Sequence, residues 1–226
     1  GCGMISEVYI RNLQALFSDR LAVRGVFDRH PDRAQGRAVQ FALPRVYGTL
    51  EQMLSDPEID IVLDLCPPQA HYEINRLALE AGKHVYSEKP LAAQTAQGAE
   101  LVRLAREKGV RLGCAPDVPL GAMIQTARHL VDAGAVGRVV GATANLFKQG
   151  VETWHPNPNF LYQPGAGPLM DMGPYYLTAL LHIVGPFASV SAMDAISFPT
   201  RRITSQPHYG ELIQVRVPTY VNALLR

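Results

Sequence analysis

The stretch from 59 to 115 constrains the fold most. Three short apolar runs, "IDIVLDLC" (59–66), "HVYS" (84–87) and "VRLGCA" (110–115), are separated by two segments with helical character. The first of these, 67–83, sets Ala70, Ile74, Leu77, Ala78 and Ala81 on one stripe and places Gly82 where a helix C-cap belongs. The second covers 92–107 and is closed by Gly109. Strands joined by whole helices cannot be hairpin partners, so they run parallel in a sheet covered by its crossovers. The pattern extends upstream. A helix over 4–17 carries Ile5, Val8, Tyr9, Leu13 and Leu16 on one face. A strand over 21–28 ends on Asp28, and helices follow over 31–42 and 49–56.

Parallel sheets hold ligands outside the carboxyl ends of their strands. Asp28, Cys66, Pro67 and the "SEKP" run at 87–90 all fall on that edge. The opening "GCGMIS" belongs there too if a strand stands before it. Gly1 and Gly3 would let the backbone turn tightly and approach a pyrophosphate, with Met4 and Ile5 opening the helix that receives it. An acid at a strand end, here Asp28, suits a ribose diol, and Arg29 beside it suits a 2′-phosphate. The same residues would also serve as a glycine turn and a solvated acid. A dinucleotide fingerprint should follow a first strand, so the expectation is that one precedes Gly1.

After Ala115 the texture changes. "PDVPLG" (116–121) is a proline-rich joint, followed by an amphipathic helix that carries Leu120, Met123, Ile124, Ala127, Leu130 and Val131 and ends at Gly134. A long strand is expected over 137–147, then an aromatic loop over 148–167, then a largely apolar, buried helix over 168–185. The tail from 188 is β-rich and stops in what reads as mid-strand. The expected architecture is α/β: an N-terminal dinucleotide-binding domain over 1–118 and a second, α+β domain over 119–226 with a mostly antiparallel sheet. The chain is expected to be incomplete at both ends.

The 226 residues have a formal net charge of +1, which gives no footprint for nucleic acid or a membrane surface. No apolar run is long enough for a transmembrane span, and "GCGMISEV" lacks the pattern of a secretory signal. Cys2, Cys66 and Cys114 are odd in number and widely spaced, which points to a reducing, cytoplasmic setting. The scattered histidines predict no metal site.

The order of "GCGMIS", Asp28, "CPPQAHYEI", "SEKP" and "GAGPLMDMGPYY" resembles the Gfo/Idh/MocA oxidoreductases, over nearly the whole chain. The resemblance implies a Rossmann domain followed by an open-faced sheet domain. It also implies hydride transfer between a nicotinamide cofactor and a sugar, cyclitol or related hydroxy compound, by a dimer or tetramer. NAD is the expected cofactor and NADP the alternative. Lys89 matches the family's catalytic lysine and Asp171 the acid of its later motif. The motif's histidine falls on Tyr175, a departure that keeps open a non-catalytic dinucleotide-binding sensor on the same fold.

Oxidising a secondary alcohol needs a group for the hydroxyl proton and a positive or hydrogen-bonding group on the oxygen. Lys89 fits the second role, and the first if burial lowers its pKa. Glu88 would orient the lysine or the nicotinamide ribose. Asp171 and Tyr175, four apart, share a helix face, and Pro174 predicts a helix start near Asp171. Tyr175 serves equally well as an aromatic core residue. Further candidates are His71, in the helix turn after "CPPQA", for the cofactor, and Asp117 and His155 for the substrate.

Overall fold

The computed structural model describes residues 1–226, which divide into two compact units, Gly1–Ala115 and Pro116–Arg226. The first unit is α/β. Its sheet has three strands, β1 (Ile61–Asp64), β2 (His84–Ser87) and β3 (Leu112–Cys114), in the order β1-β2-β3 and parallel throughout. The crossovers are α4 (Pro68–Glu80) and α5 (Thr95–Lys108), preceded by α1 (Met4–Leu16), α2 (Pro31–Gln40) and α3 (Leu50–Ser55). Both crossover helices stop where glycine permits it: Gly82 at φ 73° and Gly109 at φ 67° are left-handed, which costs a residue with a Cβ. Leu54, Ile59, Val62, Ala78, Leu79, Val85, Leu101 and Ala105 form the core between sheet and helices.

Two helices bury a different stripe from the one their apolar residues predict. On α1, Ser6 and Ile10 are buried while Ile5, Val8 and Leu16 are exposed. The helix turns its Ser6–Ile10 side inward, and Ile10 joins Cys2, Val26, Ala34 and Ala38, a small cluster whose alanines leave room for little else. On α4 the buried residues are His71, Asn75, Ala78 and Leu79. Two of these are polar, because this face covers the polar carboxyl ends of the strands.

The predicted strand over 21–28 is not formed. Only Val26 pairs, in a parallel bridge with Val46, through Val26 N–H to Arg45 O at 3.1 Å and Tyr47 N–H to Val26 O at 3.0 Å. A strand exists only where a second chain satisfies its amides and carbonyls. On the other side of 20–27 lies a cavity of about 660 Å³, bordered across from it by residues 58–66.

The second unit is α+β. It holds α6 (Ala122–Asp132), α7 (Pro168–Val184) and two antiparallel ribbons: β4 (Val190–Ala195) with β7 (Tyr220–Leu225), and β5 (Thr200–Arg202) with β6 (Leu212–Gln214). The strand expected over 137–147 is absent. These residues are irregular, and Val140 is 88% exposed with no ladder partner to exploit its β propensity. The helix over 168–184 forms as expected but is not buried: none of its residues is fully covered, and Leu169, Leu177, Leu181 and Val184 are exposed. It starts six residues before Pro174, because Pro168 supplies the N-terminal proline and Gly167, at φ 101°, turns the chain into it. The unit's core lies instead on the second ribbon, where Tyr162, Ile203, Ile213 and Val215 pack together.

Candidate active site

The glycine turn comes first. A Cβ on Gly1 would stand 2.9 Å from Leu65 O and 3.0 Å from Cys66 Sγ, so only glycine lets the turn lie against the end of β1. A Cβ on Gly3 would meet nothing within 4 Å. Gly3 is also the N-cap of α1 and offers no side-chain bond to the first-turn amides. A helix N-terminus with open space before it and no capping side chain is the cradle a pyrophosphate requires. The residues present therefore fit a dinucleotide.

Asp28 is drawn into that turn. Its Oδ2 accepts Cys2 N–H at 2.7 Å and its Oδ1 accepts His30 N–H at 2.8 Å. Partial burial acts to raise its pKa; the two amides and nearby positive charge outweigh it, and the carboxyl sits below its ordinary value. Each oxygen keeps a lone pair for a further donor. Arg29 is exposed beside it.

At the end of β1, Cys66 N–H bonds Asp64 Oδ1 at 3.1 Å, and burial pushes the Cys66 thiol up to about 11, so it stays a protonated, unreactive lining group. Pro67 caps α4. His71 differs from the expected cofactor contact: it is fully buried, its ring nitrogens 2.6 Å from Pro90 O and 2.8 Å from Cys66 O. It spans two loops of the ligand edge from beneath, and its ring has no surface left for a cofactor.

The "SEKP" run leaves β2 on the same edge. Glu88 N–H bonds Asp64 O at 2.9 Å, and Ser87 Oγ–H, itself accepting from Asn75 Nδ2 at 3.0 Å, donates to Glu88 O at 2.9 Å. The Glu88 carboxylate accepts from Tyr9 O–H at 2.7 Å through Oε1 and from Lys89 N–H at 3.1 Å through Oε2. Lys89 is half-buried. The first unit thus assembles Gly1, Gly3, Asp28, Cys66, Glu88 and Lys89 along its ligand edge. Tyr9 was missed as a site residue because it reads as one more apolar position on α1. Nothing local ties it to an acid 79 positions away.

In the second unit, Asp171 lies in the first turn of α7, and Tyr175 follows one turn later. His155 is held in the aromatic loop: its Nδ1 accepts Asn157 N–H at 3.0 Å, its carbonyl accepts Ser205 Oγ–H at 2.6 Å, and Trp154 and Phe160 lie edge-on to its ring. Burial lowers its pKa, opposed in part by the charge of Asp171 nearby. Three candidates, His155, Asp171 and Tyr175, therefore belong to one region of this unit. Asp117 is exposed at the start of a short 3-10 turn and makes no side-chain cap bond. The loop under His155 is fixed by a buried ion pair absent from the sequence reading, Glu152 with Arg201 at 2.6 Å, which Tyr162 joins through its hydroxyl. No group of three or more His, Cys, Asp or Glu is placed to hold a metal ion, and no helix is long and apolar enough to cross a membrane.

A parallel sheet with a glycine turn, an acid bonded to that turn and a lysine on its ligand edge has the layout of a dinucleotide-binding domain of the Rossmann type. Residues 1–115 match the oxidoreductase family with the NAD-binding Rossmann fold, and residues 124–226 match the GFO/IDH/MocA C-terminal domain. The chain belongs to the Gfo/Idh/MocA family. It is 30% identical to D-glucoside 3-dehydrogenase of Escherichia coli over 97% of its length and 62% of that protein. A crystal structure of an NAD-binding oxidoreductase from Klebsiella pneumoniae superposes with a TM-score of 0.83 at 25% identity, over 100% of this chain and 61% of that one. The WlbA dehydrogenase from Bordetella pertussis, solved with NADH and UDP-GlcNAcA, gives 0.77 at 25% identity, over 100% and 69%. The chain spans 52% of each of two further curated relatives, about half their length.

Proposed function

We propose that the protein is an NAD-dependent dehydrogenase acting on a secondary alcohol of a sugar, cyclitol or related hydroxy compound, and that it works as a homo-oligomer. The observation that carries this reading is the placement of Lys89. It lies just past β2 on the ligand edge, after Glu88, an acid bonded to the helix that the glycine turn opens. NAD, when bound, supplies the hydride acceptor. Gly1, Gly3 and the first turn of α1, with Met4 and Ile5, would hold its pyrophosphate, and Asp28 its ribose. Lys89 places positive charge on the substrate oxygen and steadies the alkoxide as the proton leaves. Asp171 and Tyr175 are assigned to proton movement in the second unit, and His155 to substrate binding. With Nδ1 accepting from Asn157, a neutral His155 carries its proton on Nε2 and so offers a donor to a substrate oxygen. Relatives named for a D-glucoside and complexed with UDP-GlcNAcA support a sugar-like substrate.

The test is reduction of NAD at 340 nm across a panel of sugars, cyclitols and diols. Turnover with at least one hydroxy compound is expected. Lys89→Ala should cut kcat about a hundredfold to ten-thousandfold while NAD affinity is nearly kept. Cofactor binding without turnover on any compound would favour a sensor instead, the reading to which a tyrosine at 175 would then belong.

A further inference from the structure

We propose that Tyr9 is a positioning residue: its hydroxyl holds the Glu88 carboxylate so that the backbone carrying Lys89 is fixed to the helix at the glycine turn. The inference rests on the reading of Lys89 above and names a residue that reading does not use. Besides the Ser87 bond to its carbonyl, Glu88 is gripped at three points. Its N–H is paired with Asp64 O, its Oε2 accepts Lys89 N–H at 3.1 Å, and its Oε1 accepts Tyr9 O–H at 2.7 Å. The first two are local to the sheet edge. The third comes from α1, whose N-cap is Gly3. The Tyr9 ring is also steered, lying 6.2 Å centroid to centroid from Tyr86, the residue two before Glu88.

The chemistry of the link follows from its parts. Burial, then the bond to Glu88 and its charge, raise the Tyr9 pKa far above the ordinary tyrosine value, so the hydroxyl keeps its proton and donates throughout the working range. A phenol–carboxylate bond is charge-assisted and directional. With Oε1 held by Tyr9, Oε2 stays on the Lys89 amide. Losing the hydroxyl would release one arm of a half-buried carboxylate, which then turns toward water. That move shifts the backbone at Lys89, and misplacement of a catalytic group by about an ångström is expensive.

Tyr9→Phe is the test, because it keeps the ring against Tyr86 and removes only the hydroxyl. The expected result is a fall in kcat of about tenfold. The NAD dissociation constant, read by nucleotide fluorescence, should stay within about twofold. Hydrogen exchange at the Lys89 amide should be faster. Glu88→Gln should also lower kcat, and Tyr9→Phe with Glu88→Gln should be less than additive, as for two members of one unit. An unchanged kcat with unchanged exchange at Lys89 would overturn the proposal. So would a lowered melting temperature with kcat intact, which would make Tyr9 a packing residue only. Lys89→Ala separates the two claims: if that variant turns over normally, the role of Lys89 is wrong, whereas a dead Lys89→Ala beside a fully active Tyr9→Phe sinks only the role of Tyr9.

Discussion

Asp28 carries two backbone amides at once, and this makes it more than a specificity determinant. The bond to Cys2 N–H pins the glycine turn to the segment that ends at Asp28. The remaining lone pairs would accept from the ribose diol of the proposed cofactor, and a carboxylate there would repel a 2′-phosphate. NAD should therefore bind more tightly than NADP, with Arg29 softening the preference. Asp28→Ser should move the ratio of the two dissociation constants toward NADP. It should also weaken both, because the turn loses its tie. A titration calorimeter reads both effects; tighter NADP than NAD binding by the unaltered protein would defeat the assignment. The tie to Cys2 could not be foreseen from spacing alone. An acid after a strand signals the ribose contact, but its bond to an amide 26 residues earlier exists only in the folded turn. His71 is the reverse case. Its place after "CPPQA" correctly put it beside the ligand edge, yet burial gives it to the carbonyls of Cys66 and Pro90.

At the scale of elements, the end of α3 shows how a short helix is held. Asp56, its C-cap residue, accepts from Tyr47 O–H at 2.6 Å, from Glu58 N–H at 2.8 Å and from Arg45, while its carbonyl accepts Lys83 Nζ at 2.9 Å. The Tyr47 bond is the largest of the causes that hold its carboxyl at about 2, and the Glu58 amide and Arg45 add to it. An unfolded Asp titrates near 3.9. The folded value is the lower one, so this contribution to stability is complete above about pH 4 and disappears as the pH falls toward 2. Asp56→Asn should lower the thermal midpoint at pH 7 and make little difference at pH 2. Equal losses at both pH values would show that the partners, not the charge, matter. The helices α2, α4, α5 and α7 were legible because their signals are local: Pro31, Pro68 and Pro168 at the start, Gly82 and Gly109 at the stop. The segments over 21–28 and 137–147 carry equally good β residues and form no strand. A strand's stability belongs to its neighbour, which its own sequence does not describe.

At the scale of the whole molecule, the second unit leaves apolar surface uncovered in a specific place. Of the apolar tail residues Leu212, Ile213, Val215 and Val217, the last three are buried within their own unit and Leu212 is exposed. The β4–β7 ribbon leaves more apolar surface uncovered. Met193 is 80% exposed and Leu224 76%, on one face of the ribbon, while Val190, 67% exposed, stands on the other face, and none of the six residues of β4 is buried. Ser191 pairs with Leu224 and Met193 with Asn222, so Leu224 and Met193 stand on one ordered antiparallel face. A regular apolar ribbon in water is a liability unless something covers it, and a second copy of the same ribbon is self-complementary by symmetry. Sedimentation velocity should therefore show a dimer or larger assembly at micromolar concentration. Met193→Asp with Leu224→Asp should shift it toward monomer while leaving the circular dichroism spectrum unchanged, because both side chains point to solvent within the unit. A monomer in the unaltered protein across that range would remove the case for self-association. An assembly that survives both charges would place the interface elsewhere on the chain.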